Sequence, residues 1–211
     1  MYNLFKAVIA IGLALSLTAC GSMPTASRSA MPDDTMLGFS APDVRIESFT
    51  VTVPRSLKVN DRNLYYPLGD IVWRGEPRGD RHAQVEAIFE QGLRNAAQAV
   101  AGQRAVRLDV QVLRFHSLSE KARYTVGGVH DIDFRYRLVD MATGQQIGPA
   151  KDVNADLDGL GGETALAAEA RGETQKARII GHLSKVFVEE LTMPGGHVNS
   201  ELGLLQAINN I

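Results

Sequence analysis

Histidine is the side chain in this sequence best suited to bind a metal or to transfer protons near neutral pH. The five histidines are His82, His116, His130, His182 and His197. No two of them lie three or four residues apart, so no pair shares one face of a helix, where a local metal site would form. His116 and His130 flank one predicted loop and could converge there. The alternative is that they are polar residues at strand ends, and we predict no metal and no cofactor.

Catalytic motifs are absent from the sequence. The chain contains no Gly-x-x-x-x-Gly-Lys-Ser/Thr loop for phosphate, no Gly-x-Ser-x-Gly nucleophile elbow and no His-Glu-x-x-His helix. Hydrolysis would need a nucleophile paired with a general base, and the sequence displays no such pair. We therefore predict that the protein is not an enzyme.

The side chains best suited to contact another protein are concentrated in one polar loop, residues 119–128. Arg and Tyr are enriched among the interface residues that dominate binding energy, and the Gly127-Gly128 pair permits positive φ angles. Two residues at the start of the main predicted helix join this set. The candidate partner-binding residues are Arg81, His82, Glu120, Lys121, Arg123 and Tyr124. The alternative is a loop held by ordinary hydrogen bonds and ion pairs.

The first residues of the chain predict export. Residues 1–6 carry one positive charge, residues 7–17 form an apolar run, and Leu17-Thr18-Ala19-Cys20 follows. This order is typical of a secretory signal, because a membrane-spanning helix needs about 20 apolar residues. The four residues ending at Cys20 resemble the bacterial lipobox. That resemblance implies cleavage before Cys20 and diacylation of its sulfur, whereas the alternative is an unmodified cysteine after ordinary cleavage.

Gly21 bears on the membrane to which such an anchor would attach. In lipoproteins of Gram-negative type an Asp at this position favours retention in the inner membrane, and this chain has Gly there. The resemblance therefore implies an anchor in the outer membrane, facing the periplasm. More than one acyl chain gives stable attachment, because each buried CH₂ contributes about 0.8 kcal/mol.

Composition indicates one folded domain behind this anchor. The chain has 211 residues, 45% of them hydrophobic, with 22 basic and 24 acidic side chains. A mildly acidic protein lacks the electrostatic footprint of a nucleic-acid binder, so we predict no nucleic-acid partner. Cys20 is the only cysteine, which excludes an internal disulfide.

Hydrophobic periodicity divides the chain into four parts. They are a signal peptide (1–19), an acylated cysteine with a flexible tether (20–43), a globular α+β domain (44–193) and a C-terminal tail (194–211). We predict an antiparallel or mixed β-sheet with two main helices on one face. The predicted strands are 44–53, a short piece at 57–60, an irregular strand at 64–73, then 106–115, 129–140 and 146–157. The predicted helices are 81–101, 163–170 and 173–191. Changes of parity predict bulges near residues 47–48 and 113. The tail either docks on the domain or awaits a partner.

The order of these elements resembles a known family between about Val51 and Leu191. The sequence cues are Asp70-Ile71-Val72-Trp73-Arg74 before the helix and Phe134-x-Tyr136-x-Leu138-x-Asp140 before Thr143-Gly144. With the lipobox, they resemble the auxiliary lipoproteins of ABC-type lipid transport systems. That resemblance implies a periplasmic role beside substrate-binding subunits of the Mce kind.

A second resemblance covers most of the mature chain and is more specific. It is to a family of uncharacterised proteobacterial lipoproteins. The motifs that carry it are Tyr65-Tyr66-Pro67, residues 70–75, residues 79–84, Arg114-Phe115-His116, residues 120–130 and Thr174-Gln175-Lys176. This family has no known activity to transfer to the chain.

Two functions follow as expectations. The first is a lipid-anchored envelope lipoprotein that faces the periplasm and binds a partner protein without catalysis, as an auxiliary of an ABC-type lipid transport system. The alternative is a structural or assembly factor of the outer membrane that is unconnected with transport.

Overall fold

The computed structural model describes residues 42–202. The strands in this range are β1 (Val44–Thr52), β2 (Ile71–Val72), β3 (Arg104–His116), β4 (Gly128–Asp140), β5 (Gln146–Asn154) and β6 (Leu157–Gly159). The helices are α1 (Arg81–Ala99), α2 (Glu120–Arg123), α3 (Gly162–Ala170) and α4 (Gln175–Thr192). The predicted α+β class is confirmed.

A mixed sheet forms the centre of the domain. Its strand order is β1-β3-β4-β5, with β2 also paired to β3 and β6 also paired to β4. β1 and β2 run parallel to β3, whereas the pairs β3–β4, β4–β5 and β4–β6 are antiparallel. Parallel neighbours need a crossover connection, and α1 lies within the connection between β1 and β3. Of the two predicted sheet types, the mixed one is therefore correct.

Side chains alternate across the sheet, so one face is buried under helices and the other is polar. The inward-facing residues of β4 are Ile132, Phe134, Tyr136 and Leu138, all of them buried. Arg135 and Arg137 lie between them in sequence and are exposed. The strand register shifts between Ile46 and Ser48 and again between Val112 and Arg114. Both predicted bulges are confirmed, because one extra residue reverses which side chains face the core.

The helices α1 and α4 pack on the same face of the sheet. Phe89 of α1 and Phe187 of α4 both contact Phe134 of β4, with ring centroids 5.6 and 4.9 Å away. The two helices approach closely at Gly92, where an added Cβ would lie 3.0 Å from the Cβ of Leu183. Two main helices on one face were predicted from their apolar stripes, and the packing confirms this.

Several predicted boundaries are wrong. The irregular strand at 64–73 reduces to Ile71–Val72, because Pro67 and Gly69 interrupt any ladder before them. The short piece at 57–60 is a single bridge from Val59 to Ile71. The strand at 146–157 divides into β5 and β6 around residues 155–156.

The apolar spacing predicts one buried face of the last main helix, made of Ala177, Ile180, Leu183, Val186, Phe187 and Leu191. The first turn of α4 differs from this prediction. Ala177 is exposed, and Ile179 is fully buried, whereas the predicted Ile180 is only partly buried. Thr174 caps the start of the helix, and its hydroxyl accepts the Ala177 N–H at 3.2 Å. Ile179 and Leu183 are four residues apart and so lie on one face of the helix, which leaves Ile180 at the edge of the buried face.

The anchor lies outside the described residues, as do most of the tether (20–43) and residues 203–211 of the tail. Within residues 42–202, no helix has the length and apolarity to cross a membrane.

Candidate functional site

The candidate loop 119–128 stands at the end of the sheet where β3 stops and β4 starts. The Ser119 hydroxyl accepts the Ala122 N–H at 3.1 Å and donates to the Leu64 carbonyl at 2.5 Å. Gly127 has a φ of 74°, and a Cβ there would fall 2.5 Å from the Gly159 carbonyl oxygen. Cap and glycine together hold the loop in one shape.

Arg81 is a buried residue at the start of α1. Its exposed fraction is 4%, and its Nε donates to Asp61 Oδ1 at 2.9 Å. Its Nη1 donates to Gln84 Oε1 at 2.6 Å and to the carbonyls of Glu76 and Pro77 at 3.3 and 3.1 Å. Through these hydrogen bonds, the Arg81 guanidinium fixes the long segment between β1 and α1 against the start of the helix.

Arg74 connects this segment to the candidate loop. Its Nη1 donates to the Asp61 carbonyl at 2.6 Å and its Nη2 donates to Glu120 Oε2 at 2.7 Å. In addition, the Lys121 N–H donates to Asn63 Oδ1 at 2.7 Å. Arg81 and Glu120 therefore belong to one network of charged groups but do not share one surface.

The other candidates divide by exposure. Arg123 forms an ion pair with Glu169 and is largely buried, while the Tyr124 hydroxyl donates to the same carboxylate at 3.3 Å. The His82 side chain is buried to the same extent as that of Arg123, with Nε2 3.1 Å from the Leu57 carbonyl oxygen. Glu120, Arg123 and Tyr124 line one cleft of about 260 Å³. Among the six candidates, Lys121 and Tyr124 are the exposed ones.

An exposed group of four large side chains lies beside this loop. We call Leu64, Tyr65, Tyr66 and Leu68 the tyrosine patch; their exposed fractions are 43, 53, 42 and 79%. The Lys121 Nζ sits 4.4 Å from the centre of the Tyr65 ring, within the range of a cation–π contact. The patch therefore adjoins the exposed side of the candidate loop.

The backbone of the tyrosine patch is fixed by side chains from the folded body. His116 Nε2 lies 2.7 Å from the Pro67 carbonyl oxygen, and Asn60 Nδ2 donates to the Leu68 carbonyl at 2.5 Å. The Tyr66 ring stacks 4.6 Å from the His116 ring. Sequence reasoning placed these residues in a strand and so missed the patch. The available signal was the sequence Tyr-Tyr-Pro-Leu-Gly at residues 65–69. Its large residues do not alternate with polar ones, and Pro67 cannot donate a hydrogen bond to a neighbouring strand.

His116 and His130 lie on opposite faces of the sheet and do not converge. Phe115 pairs with the core residue Ile132, so its neighbour His116 faces the other side. On the helix side, His130 Nδ1 is 3.0 Å from the Ser117 hydroxyl, to which Gln175 Nε2 donates at 2.8 Å. Burial lowers the pKa of both rings, that of His130 to about 3. Residues 42–202 contain no group of three or more His, Cys, Asp or Glu placed to hold a metal ion.

The uncovered face of the sheet carries charged pairs. Asp109 accepts from Arg107 at 2.8 Å within β3 and from Arg137 across the strand pair at 3.0 Å. Arg135 donates to Asp152 of β5 at 2.5 and 2.7 Å. These contacts border an open concavity of about 590 Å³, and mutual pairing leaves its charges satisfied.

Comparison with known proteins places the chain in a family. Residues 44–207 match the model of a family described as "Family of unknown function (DUF6778)". The chain belongs to this family. The resemblance to an uncharacterised family is thereby confirmed, and the link to ABC transport is not part of that finding. No curated protein matches the chain.

The chain is also similar to several solved structures, at low sequence identity. A candidate lipoprotein from Caulobacter crescentus CB15 is 14% identical, with a TM-score of 0.30, over 47% of this chain and 74% of that one. A DUF330 protein from Xanthomonas campestris is 13% identical, with a TM-score of 0.40, over 71% and 81%. Lipoprotein GNA1162 from Neisseria meningitidis is 14% identical, with a TM-score of 0.21, over 43% and 56%.

Proposed function

We propose that this chain is a lipid-anchored lipoprotein of the outer membrane that faces the periplasm and binds a partner protein without catalysing a reaction. The tyrosine patch, with Lys121 at its edge, is the surface that contacts the partner. The finer assignment, supported by the motif resemblance, is an auxiliary role in an ABC-type lipid transport system.

The observation that carries the proposal is a large apolar surface left exposed on a rigid support. Leu68 is 79% exposed and Tyr65 is 53% exposed, although the backbone beneath them is held by hydrogen bonds. Clustered exposed apolar side chains mark interaction sites more often than isolated ones do. A rigid aromatic surface also loses little conformational entropy on binding.

The position of the patch fits an anchored protein. The chain enters the described domain at Pro42, and Val44 pairs with Arg104 at the first residue of β3. The patch is hydrogen-bonded to His116 and Ser119, at and just beyond the other end of β3. A strand of 13 residues spans roughly 40 Å. The surface that we assign to the partner therefore lies far from the residue that joins the tether.

The proposed absence of catalysis is supported by the role of a buried Ser–His contact, between Ser117 and His130. Ser117 is 1% exposed and His130 is 1% exposed. The Ser117 oxygen already accepts from Gln175 Nε2, so its proton is directed to His130 Nδ1. A hydroxyl without access to solvent serves here as a hydrogen-bonding core residue and has no approach for a substrate.

Site-specific photo-crosslinking in cells tests the contact surface. A benzophenone amino acid is placed at Leu68 or Tyr65, and at Val198 as a control. Leu68 and Val198 are 79% and 84% exposed, so reactivity towards random neighbours is matched. We expect a discrete protein adduct from Leu68 and Tyr65 and none from Val198. An equal adduct at Val198, or no adduct at the patch, would contradict the proposal.

The identity of the adduct decides the finer assignment. A permease, an ATPase or an Mce-type subunit supports the transport role. An outer-membrane assembly protein instead supports the alternative of a structural or assembly factor and removes the transport role. Adducts to phospholipid alone would mean that the patch lies on a membrane, which overturns partner binding.

A further inference from the structure

Two histidines that are far apart in the sequence meet beside α4. His182 lies within the helix and His197 lies beyond its end, and their ring centroids are 5.9 Å apart with an angle of 80° between the rings. Gly195 and Gly196, with φ of 85° and 80°, turn the chain back onto the helix. A Cβ at Gly196 would lie 2.8 Å from both carboxylate oxygens of Glu190, so this return requires glycine.

The His197 ring is held in one orientation. Its Nδ1 is 2.6 Å from Glu189 Oε2, and its backbone N–H donates to Glu190 Oε1 at 2.8 Å. The side chain is 5% exposed. Since a carboxylate accepts hydrogen bonds, Nδ1 carries the ring proton and Nε2 keeps its lone pair. That Nε2 is buried and has no hydrogen-bond partner.

The His182 ring shows the same arrangement with a backbone acceptor. Its Nε2 is likewise buried without a hydrogen-bond partner. The Ala155 backbone lies within hydrogen-bonding reach of this ring, and we assign that contact to Nδ1 because Nε2 has no partner. Each ring therefore directs its N–H to a protein acceptor and leaves the opposite nitrogen as an unused lone pair.

We propose that His182 and His197 bind one late first-row divalent metal ion, such as Zn²⁺, Ni²⁺ or Cu²⁺, through their Nε2 atoms. Metal-binding histidines almost always donate their other N–H to a carboxylate or a backbone carbonyl, as both rings do here. Imidazole nitrogen is a preferred ligand of these ions.

The ring separation fits one shared ion. With a metal–nitrogen bond of about 2.0–2.1 Å, an ion lies about 3.2 Å from each ring centre. Two such rings on one ion are then about 5.2 Å apart at a tetrahedral angle and about 6.4 Å apart when they are opposite. The measured 5.9 Å lies between these limits.

The two imidazoles supply two of the four ligands of a tetrahedral site. Lys185 and Glu189 also lie on this part of α4, and they pair with each other at 3.6 Å, while Glu189 orients His197. Since residues 42–202 contain no third protein ligand placed at the pair, water completes the site. A bound ion would tie the segment after α4 to the helix.

Metal titration of the mature full-length protein, purified in detergent without a histidine tag, tests this site. We expect one equivalent of Zn²⁺ to bind and to raise the melting temperature, with Mg²⁺ at the same concentration having no effect. Mg²⁺ prefers oxygen ligands. His182→Gln and His197→Gln should each weaken Zn²⁺ binding at least about tenfold, and Glu189→Gln about tenfold through loss of ring orientation.

His82→Gln is the matched control, because His82 is a largely buried histidine whose Nε2 already faces a carbonyl oxygen. Its Zn²⁺ affinity should stay within about twofold of the wild type. Zn²⁺ binding in both histidine variants as strong as in the wild type would locate the ion elsewhere and overturn the proposal. Absence of stoichiometric Zn²⁺, Ni²⁺ and Cu²⁺ binding to a folded wild-type protein would overturn it as well. Neither result depends on whether the tyrosine patch binds a partner.

Discussion

His130 shows how a single buried side chain ties the stability of this domain to pH. Burial lowers its pKa to about 3, well below the ordinary value of 6.5. In the unfolded chain His130 is protonated below about pH 6.5, whereas in the folded chain it is protonated only below about pH 3. The free energy of unfolding should therefore be highest above pH 6.5 and fall on acidification, by at most about 1.4 kcal/mol per pH unit from this residue.

Urea unfolding at pH 7.5, 5.5 and 4.5 checks this expectation. His130→Gln should be less stable than the wild type at pH 7.5, because the hydrogen bond with Ser117 changes, yet should lose less stability between pH 7.5 and 4.5. The carboxylates titrate alike in both proteins, so the difference in slope reports His130. Parallel pH profiles would contradict the assignment.

At the level of elements, the packing of α1 on the sheet depends on one buried aromatic side chain. Phe89 is fully buried, with the rings of Phe134, Phe115 and Phe187 at 5.6, 6.3 and 6.5 Å. Phe89→Ala should lower the free energy of unfolding by about 3–5 kcal/mol, the range for a truncated core aromatic. Gln98→Ala, on the exposed side of the same helix, should stay within about 0.5 kcal/mol. A loss below about 1 kcal/mol for Phe89→Ala in chemical unfolding would mean that this face of α1 is not core.

The elements also show which features a single sequence can predict. α1, β3 and β4 each present one apolar face, so their periodicity predicts both the element and its buried side, including the bulge in β3. Strand pairing cannot be predicted from such periodicity. β1 lies parallel to β3 because the chain crosses over through α1, and no local sequence pattern indicates that crossover.

The candidate site divides in the same way. The composition of residues 119–128 predicts a loop but not its helical turn or the Ser119 cap. The exposure of Tyr65 and Leu68 depends on Pro67 and Gly69, which keep this segment out of the sheet. His182 and His197 are fifteen positions apart. They meet only because Gly195 and Gly196 reverse the chain, a conformation that spacing does not reveal.

At the scale of the whole molecule, the anchor and the tyrosine patch should act independently. Cys20→Ser removes the sulfur to which the lipobox resemblance assigns the acyl chains. We expect loss of labelling by an alkyne fatty acid and release of the domain from membranes, because the described residues hold no spanning helix. Ser22→Ala, two positions away, should be labelled like the wild type. Gly21→Asp should stay labelled and shift to the inner-membrane fraction. Equal labelling of the wild type and Cys20→Ser would contradict the assignment of Cys20 as the lipid attachment site.

The tyrosine patch lies at the end of β3 that is far from Pro42. Purified Cys20→Ser protein should therefore still form the Leu68 crosslink when it is mixed with envelope membranes.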